Sequence, residues 1–257
     1  MTIKDIGQEL AGVIGKCDAD YVEAHLEESQ TSHVVYRGRE LDSIGRATAI
    51  GGNVRAMVKG GWGFVSFNDL NNLPERVALA VKQARFVGRE ASQLVAAEPV
   101  VATVSVEADR DPVAIPLAEK KQLMDEYNDI IWRTPEIQTS TVGYADSRKQ
   151  TIFLSSAGSF IEQTRADITL RLAAVAARDG DIQQVGLSVG SRGDFSILQS
   201  YHDEVAHMAE RAVVLLSAPQ IKGGEYTVVL DPVLAGVFVH EAFGHLSESD
   251  FVYENAQ

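Results

Sequence analysis

The amino-acid sequence predicts an α+β fold in which mixed, largely antiparallel sheets are flanked by helices. Two observations support this prediction. Runs in which apolar and polar residues alternate follow one another closely, and Gly60-Gly61 between two of them is typical of a hairpin turn. Runs with apolar residues every three or four positions, as in an amphipathic helix, flank these strands. We expect two consecutive α/β units, residues 1–97 and 98–222, followed by residues 223–257, which begin a further domain.

The first unit is predicted to open and close with a helix. Apolar residues at positions 3, 6, 10, 13 and 14 predict a helix over 3–16, and Leu73-Pro74-Glu75 begins another. Between them, alternation predicts strands at 21–28, 32–37, 41–49, 54–58 and 62–67. The first unit is therefore expected to be an antiparallel sheet with helices beside it.

The second unit follows a predicted linker over residues 89–115. Pro99, Pro112 and Pro116 punctuate this stretch, which has no clear periodicity. Pro116 suits the first turn of a helix that runs to about residue 133. Strands are predicted at 137–146, 150–155, 160–176 and 183–189, and an amphipathic helix at 204–217. The run 160–176 is long for one strand, so we expect a bend or bulge in it.

Composition and charge restrict the function. The 257 residues include 23 Lys+Arg and 36 Asp+Glu, a net charge of −13. Binding to nucleic-acid phosphates or to anionic lipid needs a basic face, so we expect neither nucleic acid nor a membrane as a partner. No run approaches the roughly 18 apolar residues of a membrane span, and the N-terminus lacks a signal-peptide core. The single cysteine, Cys17, cannot form an internal disulfide, which fits a reducing cytoplasm.

The last segment carries the densest chemistry of the chain. Residues 225–230 are predicted to be a strand, and Asp231-Pro232 fits a helix start, since Asp can cap and Pro suits the first turn. The apolar residues 232–239 that follow predict a buried helix. This helix leads into His240-Glu241-Ala242-Phe243-Gly244-His245. Two imidazoles and a carboxylate are the composition of a zinc site with its own general base.

The spacing of the two histidines predicts an irregular helix. They are five residues apart, about 500° around an α-helix, which would separate their side chains by roughly 140°. A π turn, which closes a hydrogen bond from residue i to residue i+5, would return both side chains to one side, and Gly244 lowers the cost of the distortion. A single histidine in an apolar segment is more often hydrogen-bonded by the backbone than bound to a metal. On spacing alone a metal site and a purely structural role both remain open.

Three stretches together resemble a known family. Residues 224–232 with the motif from His240 to His245, the hairpin at 53–64 and residues 158–163 are similar to the TldD/PmbA family of metallopeptidases, on the TldD side with its H-E-x-x-x-H motif. The resemblance implies a cytoplasmic zinc peptidase that trims peptides or unfolded chains. It also implies a homodimer, or a heteromer with a PmbA-like subunit. By this similarity His240 and His245 would hold zinc and Glu241 would be the general base.

The chain departs from the family at one point. The resemblance implies a third zinc ligand, a Cys in a large C-terminal domain, and this sequence has no Cys after Cys17. We therefore expect residues 223–257 to be the start of a truncated domain. Weak or absent zinc binding and little or no activity are expected of these 257 residues alone. Glu248 is a conceivable substitute ligand.

The sequence also allows two functions other than the peptidase. The chain could be a non-catalytic module that shapes a peptide channel or a dimer, in which case Glu241 would have no chemical role. A metal-independent hydrolase is less well supported. The sequence contains no Gly-x-Ser-x-Gly motif, and no histidine partner for Cys17 is evident.

Overall fold

The computed structural model describes residues 2–90, 94–105 and 110–254. They form two compact units, Met1–Ala218 and Pro219–Gln257, which are described separately. From here on, these two ranges are called the first and the second unit, in place of the units predicted from the sequence. Within the described residues no helix is long and apolar enough to cross a membrane.

The first unit is one sheet with four α-helices. The helices are α1 (Ile3–Ile14), α2 (Leu73–Val87), α3 (Leu117–Arg133) and α4 (His202–Leu215), and a 3₁₀-helix covers Phe195–Ser200. The strands are β1 (Tyr21–Arg37), β2 (Glu40–Val58), β3 (Gly61–Phe67), β4 (Val101–Ser105), β5 (Ile137–Ser155), β6 (Phe160–Arg178) and β7 (Asp181–Ser191). In the described residues the sheet order is β3-β2-β1-β5-β6-β4, with β7 also paired to β6. Every pairing is antiparallel except β4 with β6, so the predicted α+β class is confirmed.

Several predicted strands are parts of longer ones. The runs 21–28 and 32–37 form the single strand β1, 41–49 and 54–58 form β2, and 137–146 and 150–155 form β5. The polar residues between the predicted strands of β1 had suggested a break. In the structure they continue the ladder with β2 and β5. The run 160–176 is one uninterrupted strand, and the register shifts lie instead in β2 and β5, opposite Val35/Tyr36 and at Ile137/Thr139.

The helices cover one face of the sheet. Even-numbered residues of β1 such as Val22, Leu26 and Val34 are fully buried, whereas His25 and Thr31 on the other face are exposed. The buried side chains form two clusters. One packs α1 and α2 against Val22, Ala24 and Leu26, and the other packs α3 and α4 against Val34 and Tyr36. The two predicted α/β units therefore share one sheet, and each cluster draws on both of them, since Ile152 joins the first cluster and Val34 the second. The boundary between residues 97 and 98 stays a prediction.

The predicted linker is only partly irregular. Val101–Ser105 forms β4, which pairs in parallel with Phe160–Thr164 of β6. Prediction of an unstructured stretch was wrong there because a short, exposed edge strand has no burial pattern to mark it. Residues 91–93 and 106–109 of this stretch lie outside the described residues.

The second unit differs most from the expectation. Residues 225–230 are not a strand, and the helix α5 (Pro232–Val239) contains no buried residue. The unit continues through a π-helix (His240–Gly244), a 3₁₀-helix (His245–Ser247) and α6 (Ser249–Glu254). Ala235 is half-buried and every other residue of 219–251 is exposed. A segment this short has too few neighbours of its own to bury an apolar helix.

A buried ion pair joins α3 to the sheet. The Lys120 ammonium contacts Asp146 of β5 and lies 2.8 Å from the hydroxyl of Ser32 on β1. Ser32 and Tyr144 also donate to the same carboxylate oxygen, at 2.6 and 2.5 Å. Burial lowers the pKa of Lys120, and Asp146 partly opposes that effect. The second oxygen of Asp146, Oδ1, has no hydrogen-bond partner in the part of the chain that the structure describes.

Removal of one partner of this pair should be costly. Lys120→Met would leave Asp146 charged and buried, so we expect the free energy of unfolding to fall by about 3–5 kcal/mol. The neighbouring Lys121, paired with Asp125 at 2.6 Å and half-exposed, provides the control, and Lys121→Met should cost less than about 1 kcal/mol. Urea denaturation measures both. An equal fall in the free energy of unfolding for both variants would contradict the expectation that burial makes loss of the Lys120 ammonium more costly.

The contact between β3 and α2 requires glycine. A Cβ atom on Gly63 would lie 1.9 Å from the Ala80 carbonyl oxygen, which is backbone and cannot turn aside. We expect Gly63→Ala to destabilise the protein by about 1–3 kcal/mol or more. Gly12→Ala in α1 has open space and should stabilise by up to about 1 kcal/mol. Thermal unfolding of the two variants should therefore shift in opposite directions.

Candidate metal centre

The helix that leads to the histidines begins where the sequence predicts. The Asp231 side chain accepts a hydrogen bond from the Leu234 amide at 2.8 Å, and Pro232 occupies the first turn. The Asp231 carbonyl also accepts from the Ala235 amide at 2.9 Å. The bond to the Asp231 side chain satisfies an amide that a helix start otherwise leaves unpaired, and the bond from Ala235 is the first regular bond of the helix.

A π turn brings the two histidines together, as predicted. Residues His240–Gly244 form a π-helix, and the His245 amide donates to the His240 carbonyl. The imidazole centroids are 4.6 Å apart, with the rings at 75° to each other. The wider turn thus compensates for the extra residue in H-E-x-x-x-H relative to H-E-x-x-H.

Glu241 joins the same group. Its Oε2 lies 3.9 Å from Nε2 of His245. One potential ligand atom from each of His240, Glu241 and His245 lies within 4.8 Å of the others. All three side chains are exposed.

The ligand atoms are of the kinds that zinc binds, although they lie farther apart than the ligands of a bound zinc ion. Zinc binds imidazole nitrogen at ~2.0–2.1 Å in tetrahedral geometry, which sets ligand atoms ~3.3 Å apart. The atoms found here are within 4.8 Å of one another, so small side-chain rotations would bring them to that separation. Two nitrogens and a carboxylate oxygen are ligands that zinc accepts. The residues present therefore fit part of a zinc site.

Glu248 contacts one histidine of this group, and Cys17 belongs to the other unit. Glu248 Oε1 lies 2.5 Å from Nδ1 of His245, so it contacts the ring from outside the cluster. The sequence had suggested Glu248 as a ligand but not this contact. The spacing of three residues between His245 and Glu248 is the sequence feature that could have predicted the contact. Cys17 belongs to the first unit, where its thiol donates to the Val13 carbonyl at 3.3 Å and burial raises its pKa.

Apolar side chains surround the centre. Phe238, Val239 and Phe243 are 57–69 % exposed. A helix that is apolar on all sides is normally buried, and a hydrolytic centre works best where bulk water is excluded.

Comparisons with known proteins agree with the motif. The model of PmbA/TldA metallopeptidase domain 1 matches residues 22–87, and that of the PmbA/TldA metallopeptidase central domain matches residues 110–216. The chain belongs to the PmbA/TldD metallopeptidase family. These matched segments lie in the first unit and do not include the histidine motif.

Relatives from bacteria and archaea extend the match along the chain. A metalloprotease from Synechocystis is 39 % identical over 99 % of this chain and 56 % of its own length. A metalloprotease from Methanothermobacter thermautotrophicus is 31 % identical over 91 % of this chain and 52 % of its own length. The PmbA/TldD chain described here thus spans about half the length of the curated relatives it matches.

Solved structures show the same fold. A protein from Bacteroides thetaiotaomicron superposes with a TM-score of 0.81 over 98 % of this chain and 59 % of its own, at 17 % identity. TldE from Thermococcus kodakarensis gives 0.57 over 82 % of this chain and 46 % of its own, at 11 % identity. At these identities the likeness concerns the fold alone.

The two histidines should be the residues on which metal binding depends. We expect weak Zn²⁺ or Co²⁺ binding that His240→Ala and His245→Ala each remove, because a pair of imidazoles on one side of the turn is the minimum that holds the ion. His207, an exposed histidine 3.5 Å from Glu210, is the control. Calorimetric titration of the three variants provides the measurement. Unchanged binding in His245→Ala would rule out this cluster.

Proposed function

We propose that this chain carries the zinc-binding and general-base part of a cytoplasmic peptidase that hydrolyses peptides or unfolded chains. The observation that carries the proposal is the π turn, which sets His240 and His245 side by side with Glu241 next to them. Family membership supports it, because the curated relatives are named metalloproteases. In this proposal His240 and His245 hold the zinc and Glu241 is the general base.

The chain's own residues would divide the chemistry between them. A zinc ion, when bound, supplies Lewis acidity that activates water and polarises a carbonyl. The two imidazoles hold it through neutral ring nitrogens. The Glu241 carboxylate takes the proton of the attacking water and returns it to the departing amine. The distance supports that role, since Glu241 Oε2 lies 3.9 Å from Nε2 of His245, one of the two nitrogens that would hold the ion.

The proposed site is incomplete within the described residues. Catalytic zinc sites have three protein ligands and a water, and this cluster offers two imidazoles besides the general base. The family resemblance implies a cysteine from a further domain as the third. The exposed apolar surface of α5 and the π turn supports an additional covering segment. We therefore propose weak zinc binding and little hydrolysis by these 257 residues alone.

We further propose that the active form is a homodimer or pairs with a PmbA-like subunit. Among the described residues of the first unit, the helices pack on one face of the sheet, and the other face offers a broad surface on which His25 and Thr31 are exposed. The same open face favours the alternative function, a non-catalytic module that shapes a peptide channel or a dimer.

The substitution Glu241→Gln separates enzyme from scaffold. We expect a protein of the relatives' full length that carries this sequence to cleave an unstructured peptide in the presence of zinc. Glu241→Gln should lower that rate at least 100-fold, the lower range for loss of a general base, and should leave zinc content unchanged. Peptide cleavage by mass spectrometry and zinc content by elemental analysis provide the two measurements.

Two outcomes would contradict the proposal. Full activity in Glu241→Gln would favour the scaffold function or a different base. Zinc-dependent cleavage by the 257-residue chain alone would show that its site is complete. Glu210→Gln, which alters an exposed carboxylate in the other unit, controls for non-specific loss.

A further inference from the structure

A carboxylate outside the metal cluster contacts one of its histidines. The chain forms a 3₁₀-helix over His245–Ser247, after which the Glu248 amide donates to the His245 carbonyl at 3.3 Å. Residues i and i+3 eclipse one another in a 3₁₀ turn, so the side chains of His245 and Glu248 fall on the same side. Glu248 Oε1 lies 2.5 Å from Nδ1 of His245. The Ser247 hydroxyl, bound to the Phe243 carbonyl at 2.9 Å, helps hold the turn.

This contact selects one form of the imidazole. An ionised carboxylate only accepts hydrogen bonds, so the His245 nitrogen that faces it must carry a proton. In the neutral ring the proton then lies on Nδ1, and Nε2 keeps its lone pair. Nε2 is also the nitrogen directed towards Glu241, at 3.9 Å. Glu248 thus leaves free the nitrogen that faces the cluster.

The other histidine of the pair has no such partner. Among the described residues, the contact found for the His240 ring is with the His245 ring. The orientation of His245 is therefore set from outside the cluster, and His240 then packs against an already fixed ring. Carboxylates that accept from the second nitrogen of a ligand histidine are frequent partners in metal sites, where they fix the tautomer and raise ligand basicity.

We propose that Glu248 is a positioning residue, which holds His245 as the Nδ1–H tautomer with Nε2 free, and that it is not a metal ligand. The consequence for zinc affinity rests on the proposed function, whereas the tautomer itself does not. This assignment leaves the third ligand position to a residue other than Glu248.

Nitrogen NMR tests the tautomer without any metal. The ring ¹⁵N shifts of His245 should report Nδ1–H in the wild type, at a pH where the ring is neutral. In Glu248→Ala they should move towards the Nε2–H form that an unconstrained neutral histidine side chain favours in water. Glu248→Gln, whose amide oxygen still accepts a hydrogen bond, should largely keep the Nδ1–H form. His245→Ala identifies the resonances.

A second His–Glu pair in the chain serves as the matched control. His207 and Glu210 have the same spacing of three residues on the regular helix α4, but their closest atoms are 3.5 Å apart. Glu210→Ala should leave the His207 tautomer unchanged. A His245 tautomer that does not respond to Glu248→Ala, or a His207 tautomer that responds as much to Glu210→Ala, would overturn the proposal.

Metal titration separates positioning from ligation. If Glu248 positions His245, Glu248→Ala should weaken Co²⁺ binding by about 10–100-fold, and Glu248→Gln should recover most of the loss. Equal loss in both variants with an unchanged His245 tautomer would make Glu248 a ligand and overturn the proposal. A wild-type chain that binds no metal but shows the Glu248-dependent tautomer would contradict the zinc function and leave the positioning contact established.

Discussion

The pairing of β1 with β2 over Tyr21–Arg37 and with β5 over Glu23–Arg37 is the constraint on which the first unit depends. Once Tyr21–Arg37 is continuous, a single alternation of side chains assigns each residue to one face of the sheet. A register slip of one residue would put the exposed His33 in the place of the buried Val34. All four α-helices of the unit then pack on the even-numbered face, because that face carries the apolar side chains.

This arrangement explains why one sheet carries two hydrophobic cores. The apolar residues of β1 lie near its two ends, and helices gather at each end. Between them Glu28 and Gln30 are not buried. The Lys120–Asp146 pair lies with Ser32 and Tyr144 at the inner border of the second core. Three donors share one carboxylate oxygen there, so the pair fixes how α3 sits on the sheet more than it adds stability.

The candidate metal centre depends on a different local constraint. Five residues separate His240 from His245, and only an irregular helix can set both rings on one side. The π turn does so, and the 3₁₀ turn that follows brings Glu248 back onto His245. Two consecutive departures from the α-helix thus build the cluster and its supporting carboxylate within nine residues, 240–248. Such departures favour functional sites because a regular helix would be the more stable alternative.

The sequence by itself determined the elements and the motif. Helical patterns and Pro116 located α1 to α4, Asp231-Pro232 and an apolar run located α5, and the spacing of the two histidines indicated the π turn. These features depend on residues close together in the chain. Only the tertiary structure decided which predicted strands are parts of one longer strand. Polar residues in the middle of a strand do not reveal from the sequence which neighbouring strands they pair with. It also decided that residues 225–230 form no strand and that α5 is exposed within its own unit, because burial depends on which segments are present to pack against. For the same reason, the sequence showed Glu248 only as a potential ligand. Its contact with Nδ1 of His245 follows from how the 3₁₀ turn folds back.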